Sequence, residues 1–384
     1  MEKARIDRVQ FFILLILFEM GTSLVTTFSI SAGKDAWLAI LFGSLLGCLF
    51  FLMYYQLYQW FPEDSFTGYV KKILGKKLGT AVGYIYAIAA LYISSRVLRV
   101  FGEVLLSSTY PETPLVIVHA LMILVVIYAV NKGIETIART AELTIVIVFI
   151  LAIFGFVLIV LSGVMDIDRI LPILENGFVP VLKTVVTETM NVPFGEVMIF
   201  TIIFPYLNNN RRMRIIGVGA MLLSGIMIAG TMLINILTLG FHVVEDSGFP
   251  LLATIQMISV ADFIERLDVL FLIVLFIDVF SKLVLFFYFG LIGLTELFGL
   301  ESHKQISYPI GMIVLFCSLT IATNYSEYAY QSINISARYF SFPLQVIIPL
   351  ILLTIAFFKK RKQAGGKSPE KTEERTSRST TSSQ

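Results

Sequence analysis

Two short stretches of sequence decide the fold: EMGTS at residues 19–23 and NVPFGE at residues 191–196. Each lies inside a long apolar segment and contains a residue that interrupts helices. Gly21 lets the backbone leave helical dihedral angles at low cost, and Pro193 removes an amide donor from the helix. A non-helical backbone inside a bilayer persists only where protein or a polar cavity satisfies its amides and carbonyls. The two stretches therefore predict two broken membrane helices around a shared site.

The composition is that of an integral membrane protein. Of the 384 residues, 57% are hydrophobic, whereas soluble domains are about 45–50% apolar. A spanning helix needs roughly 20 mostly apolar residues, and ten segments, numbered spans one to ten, meet that need. They are residues 9–32, 36–60, 80–108, 114–131, 140–163, 181–207, 213–241, 266–298, 306–323 and 337–358. The predicted fold class is an all-α polytopic membrane protein with ten transmembrane helices.

Lysine and arginine residues are concentrated at one end of these spans. The basic clusters are near residues 3–8, 71–77, 132–139, 211–214, 304 and 359–362. Cytoplasmic loops carry the excess of Lys and Arg in membrane proteins. An even number of spans with both termini in the cytoplasm therefore fits the distribution.

The order of the spans predicts an inverted repeat. Five spans make up repeat one (residues 9–163) and five make up repeat two (residues 181–358), so the second set enters the membrane from the opposite side. The broken helix comes first in each set. Discontinuous helices at matching positions of inverted repeats mark binding sites near the membrane midplane in transporters; the alternative is two simple kinks. We expect residues 1–358 to form one transporter-like domain and residues 359–384, which are almost devoid of apolar side chains, to be a disordered cytoplasmic tail.

The residue types at the breaks suit a small ligand. Thr22 and Ser23 supply hydroxyl groups, and Pro193 frees a carbonyl near Thr189 that Asn191 could satisfy. Each half-helix that begins after a break would present unpaired amides and a positive dipole end, which favour a carboxylate.

Span three carries a polar face. Tyr92, Arg96, Arg99 and Glu103 lie at helical spacing on one side. A charge at the bilayer centre costs at least about 2.5–3.5 kcal/mol, so it usually faces a cavity or a partner. Arg96 could meet a ligand carboxylate or pair with an internal acid. We expect Arg99 and Glu103 to pair with each other.

Further charged candidates lie beside the breaks and in span eight. Asp278, Ser281 and Lys282 share one face within about a turn. Lys282 could be a fixed cation, exchange a proton, or simply neutralise Asp278. Glu19 and Glu196 flank the breaks and could carry protons or hold backbone amides. These residues and Arg96 are the candidates for ion or proton coupling.

Other function classes find little support in the sequence. A net charge of +2 argues against nucleic acid as a partner. His119, His242 and His303 are far apart in sequence, so no metal site is predicted. No catalytic motif or cofactor-binding loop is present, and we expect neither an enzyme nor a cofactor.

Several short motifs resemble the B subunits of nutrient germinant receptors from endospore-forming bacteria. They are residues 10–22, KDAW at 34–37, PFGE at 193–196 and FPY at 204–206, and the resemblance covers roughly residues 5–358. It implies the amino acid–polyamine–organocation (APC) superfamily and the leucine-transporter (LeuT) fold. The ligand site would lie between spans one and six, with contributions from spans three and eight.

The resemblance also implies a role and a set of partners. A B subunit recognises a germinant, often an amino acid, in the inner membrane of the dormant spore, together with a membrane A subunit and a lipoprotein C subunit. The ligand-site residues implied for this chain are Gly21, Thr22, Ser23, Tyr92, Asn191, Pro193, Phe194 and Gly195. Three functions are open on the sequence alone: a ligand-sensing subunit, a proton-coupled amino acid permease, and a structural platform without ligand.

Overall fold

The computed structural model describes residues 4–207, 212–258 and 268–365. Regular structure within these ranges is helical. The α-helices are α1 (Arg8–Met20), α2 (Ala36–Trp60), α3 (Phe66–Leu74), α4 (Lys76–Ser108), α5 (Leu115–Lys132), α6 (Ile134–Leu161), α7 (Phe178–Thr184), α8 (Met213–Leu239), α9 (Phe241–Asp246), α10 (Pro250–Gln256), α11 (Asp268–Phe298), α12 (Lys304–Thr320), α13 (Tyr325–Gln331) and α14 (Ile348–Gly365).

The long helices account for eight of the predicted spans. Seven helical stretches in the described ranges are long and apolar enough to cross a membrane, and the bent pair α12–α13 adds an eighth. They correspond to spans two to five and seven to ten. Within the bent pair, α12 is span nine and α13 is the first part of span ten. Spans one and six fall short of the length because each is broken.

Span one breaks immediately after its helix. Asp7 and Gln10 form a capping box, in which Asp7 Oδ1 accepts from the Gln10 amide at 2.8 Å. The helix ends at Met20, and Gly21 follows with a φ of +20°. The chain resumes helical geometry only in the 3-10 helix Ile30–Asp35, which leads into α2. The break is therefore longer than the sequence predicts.

Span six breaks at the predicted proline. Helix α7 continues into a π-helical turn, Val185–Thr189. Residues 190–193 interrupt the helix and include a cis Val192–Pro193 peptide bond. The second half of the span is a 3-10 helix, Phe194–Ile202, with a final turn at Phe204–Tyr206.

Spans one and six run antiparallel. The Ile6 amide, before α1, donates to the Tyr206 carbonyl at 2.9 Å, at the end of span six. At the opposite end, the Leu174 amide, before α7, donates to Asp35 Oδ1 at 3.0 Å, after the first break. The start of one span thus lies beside the end of the other, as an inverted repeat requires.

Equivalent spans of the two halves pack against each other. Helix α2 packs on α8 (spans two and seven), α4 packs on α11 (spans three and eight), and α5 packs on α12 (spans four and nine). A pseudo-twofold axis between inverted repeats brings equivalent elements together in this way.

Span ten is longer at both ends than the predicted 337–358. Its helix begins at Tyr325, where Asn324 Oδ1 accepts from the Glu327 amide at 2.9 Å. It continues through π-helical turns and α14 to Gly365. The helix therefore continues past residue 359, where the tail is predicted to begin, and residues 366–384 lie outside the described ranges. Polar side chains at both ends lowered the hydropathy that defined the span.

Candidate functional site

A cavity of about 140 Å³ lies between the two breaks and spans three, eight and ten. Polar and charged side chains reach it from all five. They include Thr22, Thr26 and Thr27 from the first break, Glu188 and Glu196 from span six, Arg96 from span three, Lys282 from span eight, and Tyr325, Tyr328, Ser332 and Ser336 from span ten.

Lys282 connects the two breaks. Its Nζ lies 2.6 Å from Glu196 Oε2, and both side chains are buried. Its stem passes against Gly21, where an added Cβ would lie 2.5 Å from Lys282 Cδ and 2.8 Å from the Phe18 carbonyl oxygen. The ammonium also lies 5.4 Å from the centre of the Phe18 ring, within cation–π range. Gly21 is therefore needed both for its positive φ and for the space that Lys282 occupies.

The alternative of an Asp278–Lys282 pair is wrong, because Lys282 pairs with Glu196. Both Asp278 oxygens are buried without a hydrogen-bond partner among the described residues, and Ser281 Oγ donates to the Ile277 carbonyl at 2.7 Å. Neither Asp278 nor Ser281 lines the cavity. A shared helix face permits an i,i+4 contact, but a carboxylate on another element competes for the long lysine side chain.

Glu19 lies at the end of α1, buried beside the Lys282–Glu196 pair. It is close enough to both for electrostatic interaction. Neither of its carboxylate oxygens has a hydrogen-bond partner among the residues described. Glu19, Glu196 and Lys282 therefore form one buried titratable cluster at the breaks.

Arg96 is a second buried cation on the cavity wall. Its Nη1 donates to Tyr92 Oη at 3.2 Å. Its Nη2 donates to the Tyr328 carbonyl at 3.4 Å and to Ser332 Oγ. The guanidinium lies 4.4 Å from the centre of the Tyr328 ring. No carboxylate of the described residues lies within ion-pair distance of Arg96.

The remaining polar residues of span three match the prediction in part. Arg99 Nε donates to Glu103 Oε1 at 2.8 Å, which confirms that pair. Tyr92 is half-buried and accepts from Arg96, but it does not line the cavity. Its position is that of a support for the guanidinium.

Of the eight predicted ligand-site residues, only Thr22 lines the cavity. Ser23 Oγ is buried without a hydrogen-bond partner in the described part of the chain. Asn191 Nδ2 donates to the Thr187 carbonyl at 3.1 Å, one turn back, so it does not satisfy the carbonyl near Thr189 as predicted. Ser23 and Asn191 therefore shape the breaks and do not line the cavity.

The residues around Pro193 pack against neighbouring spans. Phe194 is fully buried, and an added Cβ at Gly47 of α2 would lie 2.8 Å from Phe194 Cβ. A Cβ at Gly195 would overlap Gln345 Oε1 of span ten and lie 2.6 Å from the Met190 carbonyl oxygen. Gly195 is thus required for the close approach of span ten to the second break.

The expected array of free amides at the first break is not present. After Gly21 the chain forms turns in which the amides of Ser23, Val25 and Thr26 donate to carbonyls at 2.8, 3.1 and 3.0 Å. No second half-helix begins at the first break, so the first break contributes no helix dipole to the site. The positive charge at the cavity comes from Arg96 and Lys282 instead.

The wall that span ten contributes was not predicted from the sequence. Tyr325, Tyr328, Ser332 and Ser336 recur at helical spacing and face the cavity. That spacing was the available signal. The stretch is too polar to pass as a span, because its polar side chains point inward.

Helices α9 and α10 and the turn between them pack against Tyr325, which lines the cavity. Tyr325 Oη donates to the Gly248 carbonyl at 2.9 Å, and the Phe249 and Tyr325 ring centres are 4.6 Å apart. Thr27 Oγ1 donates to the Ser247 carbonyl. Helices α9 and α10 and the turn between them therefore bridge the first break and span ten.

The chain matches a known protein family over most of its length. The spore germination protein family matches residues 5–326. The chain belongs to this family. Spore germination protein KB of Bacillus subtilis (strain 168) is 43% identical over 370 residues, which are 96% of this chain and 99% of that protein. The chain is thus a germination permease-like, multi-pass membrane protein.

Solved transporter structures show the same fold as this family member. MhsT in complex with L-phenylalanine has a TM-score of 0.62 at 15% identity and covers 93% of this chain and 99% of its own. Mhp1, a nucleobase-cation-symport-1 family transporter in a closed conformation with bromovinylhydantoin bound, has a TM-score of 0.66 at 11% identity and covers 94% and 80%. The prediction of a LeuT-type inverted-repeat fold with broken helices one and six is confirmed.

Proposed function

We propose that the chain is an integral membrane subunit, the B subunit, of a spore nutrient germinant receptor and binds an amino acid germinant in the cavity between the breaks. The observation that carries this is Arg96, a buried cation with no carboxylate partner among the described residues. An unpaired buried charge is costly, and a guanidinium matches a carboxylate in a bidentate hydrogen-bonded pair. A ligand carboxylate would complete the environment of Arg96.

The opposite charge on the cavity wall suits the other end of an amino acid. Glu188 lines the cavity, and its Oε2 has no hydrogen-bond partner in the described ranges. An α-ammonium group could bind there, while the Thr22 and Ser336 hydroxyls contact the rest of the ligand. The cavity volume of about 140 Å³ limits the ligand to a small molecule, since a cavity of about 150 Å³ holds benzene.

The Lys282–Glu196 pair is the element through which binding would be transmitted. It joins the two breaks and lines the same cavity as Arg96. A ligand that binds better to one arrangement of the breaks shifts the population toward it by its differential affinity. The shift would pass to a membrane A subunit and a lipoprotein C subunit in the inner spore membrane, with both termini of this chain cytoplasmic.

A proton-coupled permease is the second candidate function. It is favoured by Glu19, which is buried without a hydrogen-bond partner in the described residues and lies beside the Lys282–Glu196 pair. Ionisable groups inside the membrane are frequent members of proton relays in transporters.

Purified protein in liposomes separates these functions. Equilibrium binding and uptake of the twenty labelled amino acids are measured with and without an inward proton gradient. Saturable binding without sustained uptake supports the sensor. Uptake that depends on the gradient supports the permease instead, and neither binding nor uptake is the result expected of a structural platform.

A further inference from the structure

A second cavity lies at the lysine-rich end of the molecule, far from the breaks in sequence. It has a volume of about 510 Å³ and is lined by Phe61, Lys72, Lys359, Lys360 and Lys362. Four of these five side chains are cationic, and no carboxylate of the described residues lines it. The cavity therefore has the charge of a site for an anion.

Two of the lysines are held in place by the protein. Lys359 Nζ donates to the carbonyls of Ile73 and Lys72 at 2.8 and 3.2 Å, which joins α14 to the end of α3. Lys72 Nζ pairs with Asp64 at 2.7 Å. Since Asp64 neutralises one of four charges, the cavity keeps a positive excess.

The other two lysines are available to a ligand. Lys360 Nζ lies 5.7 Å from the centre of the Phe61 ring, a cation–π geometry that leaves its three donors to other partners. Lys362 is exposed and has no ion-pair partner among the residues that the structure describes.

An apolar face leads directly into this cavity. The exposed apolar side chains of span ten recur at helical spacing along the helix that carries Lys359. They are Ile347, Leu350, Ile351, Phe357 and Phe358. The rings of Trp60 and Phe357 lie 6.4 Å apart beside the lysines, and aromatic side chains of this kind mark the level of lipid headgroups.

We propose that this cavity binds the phosphate headgroup of an anionic phospholipid, whose acyl chains lie along the exposed face of span ten. Basic pockets beside membrane helices bind acidic headgroups, with about 1 kcal/mol for each Lys or Arg near the surface. A free phosphate would satisfy the lysines alone, whereas a lipid satisfies the lysines and the adjoining apolar face together. Lys360 and Lys362 make the headgroup contacts that distinguish an anionic phospholipid from a neutral one.

The test compares the double variant Lys360→Gln/Lys362→Gln with the control Lys76→Gln/Lys77→Gln, which removes the same charge from exposed lysines at the same end, outside the cavity. Binding of delipidated protein in neutral detergent is titrated with phosphatidylglycerol, phosphatidylcholine and inorganic phosphate. Unfolding temperature without lipid is measured for each variant to verify folding.

We expect wild type and the control to bind phosphatidylglycerol at least about tenfold more tightly than phosphatidylcholine. The double variant should lose about 30-fold in phosphatidylglycerol affinity, the value for two contacts of about 1 kcal/mol each at 1.4 kcal/mol per tenfold. Equal losses in the double variant and the control would reduce the effect to general surface charge and overturn the site. Inorganic phosphate that competes fully with the lipid at comparable affinity would overturn the lipid as its occupant.

Discussion

Arg96 and Lys282 are buried cations on the same cavity that differ in what neutralises them. Lys282 has Glu196 at 2.6 Å, while Arg96 donates to neutral oxygens and has no carboxylate of the described residues within ion-pair distance. Removing one member of a buried ion pair leaves an uncompensated charge, whereas removing both can be nearly neutral. Substitution of Lys282 should therefore lower the stability of the protein, whereas substitution of Arg96 should weaken ligand binding.

The ion pair predicts a specific pattern of stability. Lys282→Met should destabilise the protein by about 3–5 kcal/mol, because Glu196 remains buried without its cation. The second substitution in Lys282→Met/Glu196→Gln should restore most of that loss. Thermal unfolding in detergent measures both variants. If the double variant is less stable than Lys282→Met alone, Glu196 is stabilised by partners other than Lys282.

The contact of Gly21 with Lys282 predicts that substitution of Gly21 destabilises the protein more than substitution of Gly33. Gly33 also has a positive φ, of 65°, but no atom lies within 4 Å of an added Cβ. Gly33→Ala should therefore cost only the backbone strain of its glycine-favoured conformation (φ 65°, ψ −141°), about 1–3 kcal/mol. Gly21→Ala adds overpacking of about 1–3 kcal/mol, since the new methyl group meets Lys282 and Phe18.

Chemical or thermal unfolding of the two glycine variants provides the measurement. Amino acid binding should weaken in Gly21→Ala, because Lys282 must move, and stay within about twofold of wild type in Gly33→Ala. Equal behaviour of the two variants in both assays would mean that the space beside Gly21 is unimportant.

At the scale of elements, the broken spans position the site, and the sequence predicted their locations because glycine and proline act locally on the backbone. It did not predict the conformation of the chain after each break. The first break continues as hydrogen-bonded turns after Gly21, and the second as a 3-10 helix after Pro193. These outcomes depend on contacts with distant segments, such as Gln345 beside Gly195, which local residue preferences do not contain.

The contact of α9 and α10 with Tyr325 predicts an effect on the rates at which the ligand binds and dissociates. Tyr325→Phe removes the hydrogen bond to the Gly248 carbonyl and weakens the contact of this segment with the cavity wall. Association and dissociation should both accelerate, by about fivefold for a bond worth about 1 kcal/mol, with a smaller change in the dissociation constant. Stopped-flow or surface-based kinetics give the two rates.

Tyr308→Phe provides the control for that substitution, because it removes the same hydroxyl group from a tyrosine on an exposed face of α12. Its rates should equal those of wild type. Unchanged rates in Tyr325→Phe would show that ligand does not pass this segment.

At the scale of the whole molecule, the span count and the inverted repeat were predictable from hydropathy and from the distribution of Lys and Arg. These signals extend over about 20 residues, so they tolerate local irregularity. The cavity was not predictable from them, because it requires side chains from five spans to converge. Span ten is an example. Tyr325, Tyr328 and Ser332 are polar and face the cavity, so the hydropathy that located the other spans did not detect the first turns of span ten.

The decisive question for the proposed function is whether Arg96 binds a ligand carboxylate. The amino acid that binds best among the twenty is compared with its carboxamide, on wild type, Arg96→Gln and Arg99→Gln, by equilibrium binding. Arg99→Gln is the matched control, since Arg99 is already paired with Glu103.

Wild type and Arg99→Gln should prefer the carboxylate over the carboxamide by about 10- to 100-fold, the range of a hydrogen bond to a charged group. Arg96→Gln should bind both ligands about equally, at the weaker level. A preference for the carboxylate that survives in Arg96→Gln, or equal binding of both ligands by wild type, would contradict the proposal that Arg96 is the ligand-binding cation of this cavity.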